Sequence, residues 1–303
     1  MGYLFLLPAL FFTVTKGYSG KKTSGLVSGF EGASFVSLLR IFLCMIFGAA
    51  LIVPEILSAG VDVIKISPKI LAISLVSGIT NAAILVAWIL LVKKGALLLI
   101  DSAGMCGVFI PLILSNLFYS ETLKINHIFG VLLLIVAVSI LYVYNKSVKP
   151  KITFLTIILL VLYGVSNGLA DFSGKAFSKI SQGNVSTAVF NFYTYLFACL
   201  GLGIYYLCVR IFNKNKKSEI SFGLFKNSIW YVVIMAISLY LTTFFKTLSA
   251  GYLPSATLYP LYQAAMLILN GAMGAVFFGE KVTSKSIIAV VINILAIVFI
   301  NVI

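Results

Sequence analysis

The chain alternates between long uncharged apolar runs and short polar breaks. The runs occupy 1–15, 32–54 (interrupted only by Arg40), 70–92, 102–120, 128–145, 152–170, 180–209, 227–245, 247–279 and 286–303. A helix needs about 20 mostly apolar residues to cross the hydrocarbon core of a bilayer, so these ten runs predict ten transmembrane helices. Two runs are too long for one helix and contain turns. Ser181-Gln182-Gly183-Asn184 opens one of them. A turn over 249–254 splits the other, with Pro254 suited to the first turn of the next helix. The breaks are short, which makes neighbouring helices antiparallel hairpins. The most polar break, 210–226, holds Lys214, Lys216, Lys217 and Glu219.

Composition narrows the class. Hydrophobic residues make up 61% of the 303 positions and charged residues 10%, against roughly 45–50% and about 25% in soluble proteins. No soluble fold has the interior to hide that much apolar surface. A disordered chain, a secreted disulfide scaffold and an ordinary cytosolic enzyme are excluded. The net charge of +14 sits in short loops, as membrane proteins place Lys and Arg, and so does not point to nucleic acid. Cys44, Cys106, Cys199 and Cys208 all lie in apolar runs, at spacings that fit neither disulfides nor zinc. The opening Met1-Gly2-Tyr3 lacks the basic start of a signal peptide. His127 is the only histidine, and no metal site or catalytic triad can be built around it. No cofactor is expected.

The two halves repeat. Phe118-Tyr119-Ser120-Glu121 precedes one apolar helix and Phe277-Phe278-Gly279-Glu280 another, 159 residues later. Ser19-Gly20-Lys21 recurs as Ser173-Gly174-Lys175, 154 residues later. Five helices per half is an odd number, which turns the second half over in the membrane. Inverted repeats of this kind place a substrate site between the halves near the midplane in many secondary transporters. The expected fold is therefore an all-α integral membrane protein, with ten transmembrane helices as two inverted five-helix repeats over 1–146 and 147–303. These elements resemble those of the ten-helix, EamA-type members of the drug/metabolite transporter superfamily. The aromatic-x-x-Glu ends at Glu121 and Glu280, Lys21 and Lys175 near the end of each half's first helix, and Arg40 in the second helix carry the likeness. The Trp-Gly often seen in that family's first helix is absent here, and only Tyr163-Gly164 stands in the second half. The resemblance implies a multi-pass transporter of the cytoplasmic membrane, bacterial in type.

Intramembrane polar residues are the candidate site. A charged side chain deep in a helix costs at least about 2.5–3.5 kcal/mol unless it has a partner or a wet cavity. Arg40 reads as an anion anchor or as a group bonded to helix-end carbonyls. Asp101 reads as a proton-accepting carboxylate, a counter-ion to Arg40, or an interfacial cap beside Lys93 and Lys94. Asp171 and Lys175 are four apart and able to pair on one helical face, with Asn167 a turn behind. The plainer reading is a fraying helix end whose lysine snorkels to the headgroups. Lys21, beside Lys16 and Lys22, reads most simply as snorkelling too. Asn191 and Tyr195 share a face of the seventh helix. Tyr259, Tyr262, Gln263, Met266 and Asn270 form a stripe on the ninth. Together these make an aromatic, amide-rich pocket for a small organic molecule, or else interfacial tyrosines and amides that join helices. Asn81 and Asn116 read as packing groups, Glu121 and Glu280 as structural. Gly25-x-x-x-Gly29 and Gly271-x-x-x-Ala275 permit close helix contact. Helices 3, 4, 8 and 9 are expected around the cavity, with the nearly pure aliphatic helices 5 and 10 outside.

The function that follows is secondary transport of a small metabolite, amino-acid-like or otherwise polar or aromatic, by alternating access, with Asp101 or Asp171 available for proton coupling. Its partners are the small-molecule substrate and the lipid bilayer, with the chain a monomer or a homodimer. A non-transporting receptor or assembly subunit is the alternative. Orientation has two answers. The connections after odd-numbered helices hold fifteen basic residues and the others six, which puts both termini outside. The resemblance implies termini inside.

Overall fold

A computed structural model describes residues 1–24, 29–93, 103–144, 153–212, 222–279 and 284–302. In hydrocarbon the backbone must satisfy its own N–H and C=O groups, and for segments this apolar the helix does so within itself. Ten long helices are described: α1 (Gly2–Ser24), α2 (Gly29–Ala59), α3 (Pro68–Lys93), α4 (Phe109–Tyr119), α5 (Ile125–Tyr144), α6 (Phe154–Ser181), α7 (Thr187–Phe212), α8 (Phe222–Tyr252), α9 (Ser255–Phe278) and α10 (Ser284–Val302), with one short 3-10 helix, Val61–Ile64, between α2 and α3. Helical residues 103–107 lead into α4 through a turn at Val108. Strands are absent among the described residues. Among the described residues, six helices are long and apolar enough to cross a membrane: Glu31–Ala59, Pro68–Leu91, Phe154–Ser181, Thr187–Ile211, Ile229–Tyr252 and Ser255–Phe278. The outer surface agrees with a lipid surround. Leu155, Ile158, Val161, Leu162 and Val165 on α6, and Ile288, Ile294, Leu295 and Val298 on α10, are all exposed. Apolar faces this continuous are not tolerated in water.

Breaks fall where the turn chemistry is. α6 ends on Gln182 and Gly183, both with left-handed backbone (φ 46° and 87°). Pro254 caps α9 from outside its first turn, with extended backbone. Gly279 ends α9 at φ 63°, a conformation that favours glycine. The helices extend further into charged sequence than the apolar runs suggest. Asp171 and Lys175 lie inside α6, and Lys246 lies inside α8 rather than in a loop.

Packing is mostly between the halves. α1 lies on α8 and α9, α3 on α6 and α7, α2 on α7 and α8, α4 on α6 and α9, and α5 on α10. The closest crossing uses small residues. A Cβ on Gly168 would stand 2.3 Å from the Gly107 carbonyl oxygen, and one on Gly164 2.6 Å from that of Ala103. The sequence pattern missed this Gly-x-x-x-Gly seam on α6. Of the two it named, Gly25 lies outside the described residues, and nothing stands within 4 Å of a Cβ on Gly271. That glycine is a cavity wall, not a helix contact.

Candidate functional site

A cavity of about 800 Å³ opens inside the bundle. α1, α3, α6 and α8 each offer it a largely polar face at three- or four-residue spacing, the period that aligns side chains on a helix. α3 contributes Ser77, Asn81, Ile84 and Trp88, and α6 contributes Tyr163, Asn167, Ala170, Asp171 and Gly174. From α8 come Leu239, Thr242, Thr243, Lys246 and Thr247, and from α9 Tyr259, Tyr262, Gln263, Met266 and Asn270 among others. α1 adds Thr13, Lys16 and Gly17, and α7 only Phe190. These stripes face inward because facing outward would place them against lipid.

The cavity runs toward one end of the bundle. Its deepest polar groups are Tyr259, Asp171 and Lys246. It reaches Gly17, Trp88 and Gly279 near the ends of α1, α3 and α9, and Tyr163 and Ile287 near the starts of α6 and α10. Toward the opposite end, no α6 lining residue lies beyond Gly174 and no α9 lining residue precedes Tyr259.

A buried network organises the floor. The Lys246 ammonium pairs with the Asp171 carboxylate and stands 4.9 Å from the centre of the Tyr262 ring, a cation–π contact. The Tyr259 hydroxyl donates to the Asp171 backbone oxygen at 2.5 Å. Thr13 Oγ1 lies 2.6 Å from the Tyr262 hydroxyl and 3.1 Å from Thr242 Oγ1. Asn167 Nδ2, Asp171 Oδ2 and Asn270 Oδ1 are buried without partners.

The predicted site residues separate into groups. Tyr259, Tyr262, Gln263, Met266, Asn270 and Asp171 all meet in the cavity. Asn191 and Tyr195 do not line it. Tyr195 is buried between α7 and α8, with its hydroxyl 2.8 Å from Thr243 Oγ1. Asn191 is fully buried with neither amide atom bonded. Arg40 is fully buried outside the lining, with Nη1 donating to Met235 Sδ and with Nε and Nη2 unpartnered. Asp101 and Glu280 lie outside the described residues. Asp171 and Lys175 do not pair with each other; helix position allows it, but each finds a stronger partner on another element. Asn81 lines the cavity, beyond the packing role read for it. Of the helices expected around the cavity, α3, α8 and α9 line it and α4 has no lining residue, while α1 and α6 do. α10, expected outside, contributes Ile287, Val290 and Val291. Among the charged cavity residues, Lys16 and Lys246 are those that the sequence did not single out, and the polar Thr13, Ser77, Thr242, Thr243 and Thr247 went unnoticed with them. Both lysines bound apolar runs, where a lysine looks the same whether it snorkels or turns inward.

The far end carries a joint. Lys175 Nζ lies 2.7 Å from Glu121 Oε1 and donates to the carbonyls of Ala250 at 2.9 Å and Leu253 at 2.7 Å. The Ser255 N–H donates to Glu121 Oε2 at 2.8 Å. A cation thus meets the carbonyl end of α8, and an anion meets the N–H end of α9, as the helix dipoles favour. Burial pushes the Glu121 carboxyl up, but the Lys175 hydrogen bond, the Ser255 N–H and the Lys175 charge together hold it below its usual range. Two motifs that repeat in sequence, aromatic-x-x-Glu and Ser-Gly-Lys, therefore bind each other in space.

No family model matches the chain, and no curated protein matches it. Twenty-eight chains of solved structures match its fold. One, described only as a crystal structure of a protein, covers 99% of this chain and 96% of its own length, with a TM-score of 0.71 at 14% identity. Likeness at that identity establishes the helical fold and nothing about what is bound or moved.

Proposed function

We propose that the chain is a secondary transporter of the drug/metabolite type, resident in the cytoplasmic membrane, which carries a small organic solute by alternating access. The observation that carries this reading is the one-ended cavity. It is large enough for a metabolite and lined by amide, hydroxyl, aromatic and charged groups that a lipid-facing bundle has no structural use for.

The helix pairings support an inverted repeat of 1–146 with 147–303. Exchanging each helix with the one five later turns α1–α8 into α6–α3, α1–α9 into α6–α4, and α2–α8 into α7–α3, and all six contacts exist. The pairs α2–α7, α4–α9 and α5–α10 map onto themselves. Such a two-fold relation lets one half rock against the other about a fixed central site. In this arrangement the open end is where α1, α3 and α9 finish, the end that also carries the basic connections. The closed end is the Glu121–Lys175 joint. Tyr259, Tyr262 and Gln263 are the proposed substrate contacts, with Asp171 and Lys246 as the charge pair beneath them.

The test is reconstitution of the whole chain in proteoliposomes and uptake of a broad panel of labelled metabolites, with and without a pH gradient. Saturable uptake of at least one solute, reduced by Gln263→Ala, is expected. Losing one neutral hydrogen bond should weaken affinity about two- to twelvefold, from about 0.5–1.5 kcal/mol. A protein that binds a solute in the cavity yet never moves it is a receptor, and the transport reading then fails.

A further inference from the structure

Resting on that reading of the cavity as a substrate site, we infer that its solute is an anion, whose negative group is held at Lys16. Lys16 lies on the cavity wall beside Gly17, in the second half of α1. Among the described residues no acceptor stands within hydrogen-bond or ion-pair distance of its ammonium. The charged groups close enough to act on it are Lys246, Arg40 and Asp171. On the cavity wall two lysines, Lys16 and Lys246, therefore face one carboxylate, Asp171, and that carboxylate is paired with Lys246 through Oδ1.

An excess of positive charge inside a low-dielectric bundle is costly without a counter-ion. No described side chain supplies one here, so a ligand would relieve the excess. The neutral donors point the same way. The Tyr259 and Tyr262 hydroxyls are occupied by Asp171 and Thr13, but Asn167 Nδ2 is buried on the wall with nothing to donate to, while the unpartnered Asp171 Oδ2 and Asn270 Oδ1 are open to a donor elsewhere on the solute. An ammonium and a free amide N–H on one cavity suit a carboxylate or another oxyanion. Around them Trp88 offers apolar surface for the rest of the solute.

The experiment uses solutes that share a skeleton and differ only in charge: 3-phenylpropanoate, 3-phenylpropanamide and 3-phenylpropylamine, with hexanoate, hexanamide and hexylamine as an aliphatic set. Binding is read by thermal stabilisation of the full chain in nanodiscs, and movement by flux in proteoliposomes. In at least one set the carboxylate should bind about tenfold more tightly than the amide, and the amine should bind worst. Lys16→Gln should erase that order, and Lys16→Arg should keep it, which separates loss of charge from loss of fold. Equal or better binding of the amine or amide overturns the inference. So does an order that survives Lys16→Gln, or no binding by any member. If an amine is carried, transport stands and the anion assignment falls. If a carboxylate binds through Lys16 and is never carried, the anion assignment stands and transport falls.

Discussion

Asp171→Ala is expected to destabilise the protein by about 3–5 kcal/mol, the usual cost of stranding one member of a buried ion pair. Lys246 would then sit at the cavity floor with no carboxylate among the described residues to pair with, and Lys16 would add to the repulsion. The double change Asp171→Ala/Lys246→Met is expected to recover most of that loss, because an apolar pair of similar size replaces a buried ion pair at little cost. Transport should not return with stability, since the floor of the site has lost both charges. Thermal unfolding of the three proteins in one detergent checks the first part, and flux in proteoliposomes the second. A single change that costs under about 1 kcal/mol would mean that cavity water already screens the pair.

The second large effect is expected at the closed end. Glu121→Gln removes a charge-assisted hydrogen bond to Lys175, a loss of about 1.5–3 kcal/mol. Lys175 keeps the carbonyls of Ala250 and Leu253, so the cost stays below that of the Asp171 change. The effect carries a pH signature. The folded Glu121 carboxyl lies below its usual value, so its stabilisation is complete above the unfolded value of about 4.3 and is lost as pH falls through the lower folded one. The stability gap between wild type and Glu121→Gln should be flat from about pH 7 to 5 and should narrow below about pH 4. A gap that closes near neutrality instead would contradict the joint as described.

Much of the fold was legible in the residues, since the ten apolar runs correspond in order to the ten described helices. The turns at Gln182-Gly183 and before Ser255 were readable for the same local reason, backbone chemistry carried by one or two residues. The polar stripe of α9, from Tyr259 to Asn270, was readable because its period is local too. Three things were hidden. The Glu121–Lys175 pair joins positions far apart in the chain, and spacing within a helix suggested Asp171 for Lys175 instead. Lys16 and Lys246 bound apolar runs, and hydropathy alone cannot separate a lysine turned inward from one at a headgroup. Asn191 and Tyr195 have the right residue types on the right face for a site. That face packs within the bundle, and Tyr195 meets α8 rather than the cavity, a fact set by tertiary packing alone.

Alternating access is tested most directly by asking from which side the cavity can be reached. Cys44, Cys106, Cys199 and Cys208 are first replaced, and single cysteines are placed at Thr243 and Gln263 on the cavity wall and at Val136 on the outer face of α5. A membrane-impermeant thiol reagent is then added to either side of sealed vesicles. Two access states predict that Thr243→Cys and Gln263→Cys react from both sides, with the balance shifted by a transported solute, while Val136→Cys stays protected by lipid. Reaction of the cavity cysteines from a single side under every condition would contradict alternating access and leave a one-sided binding pocket.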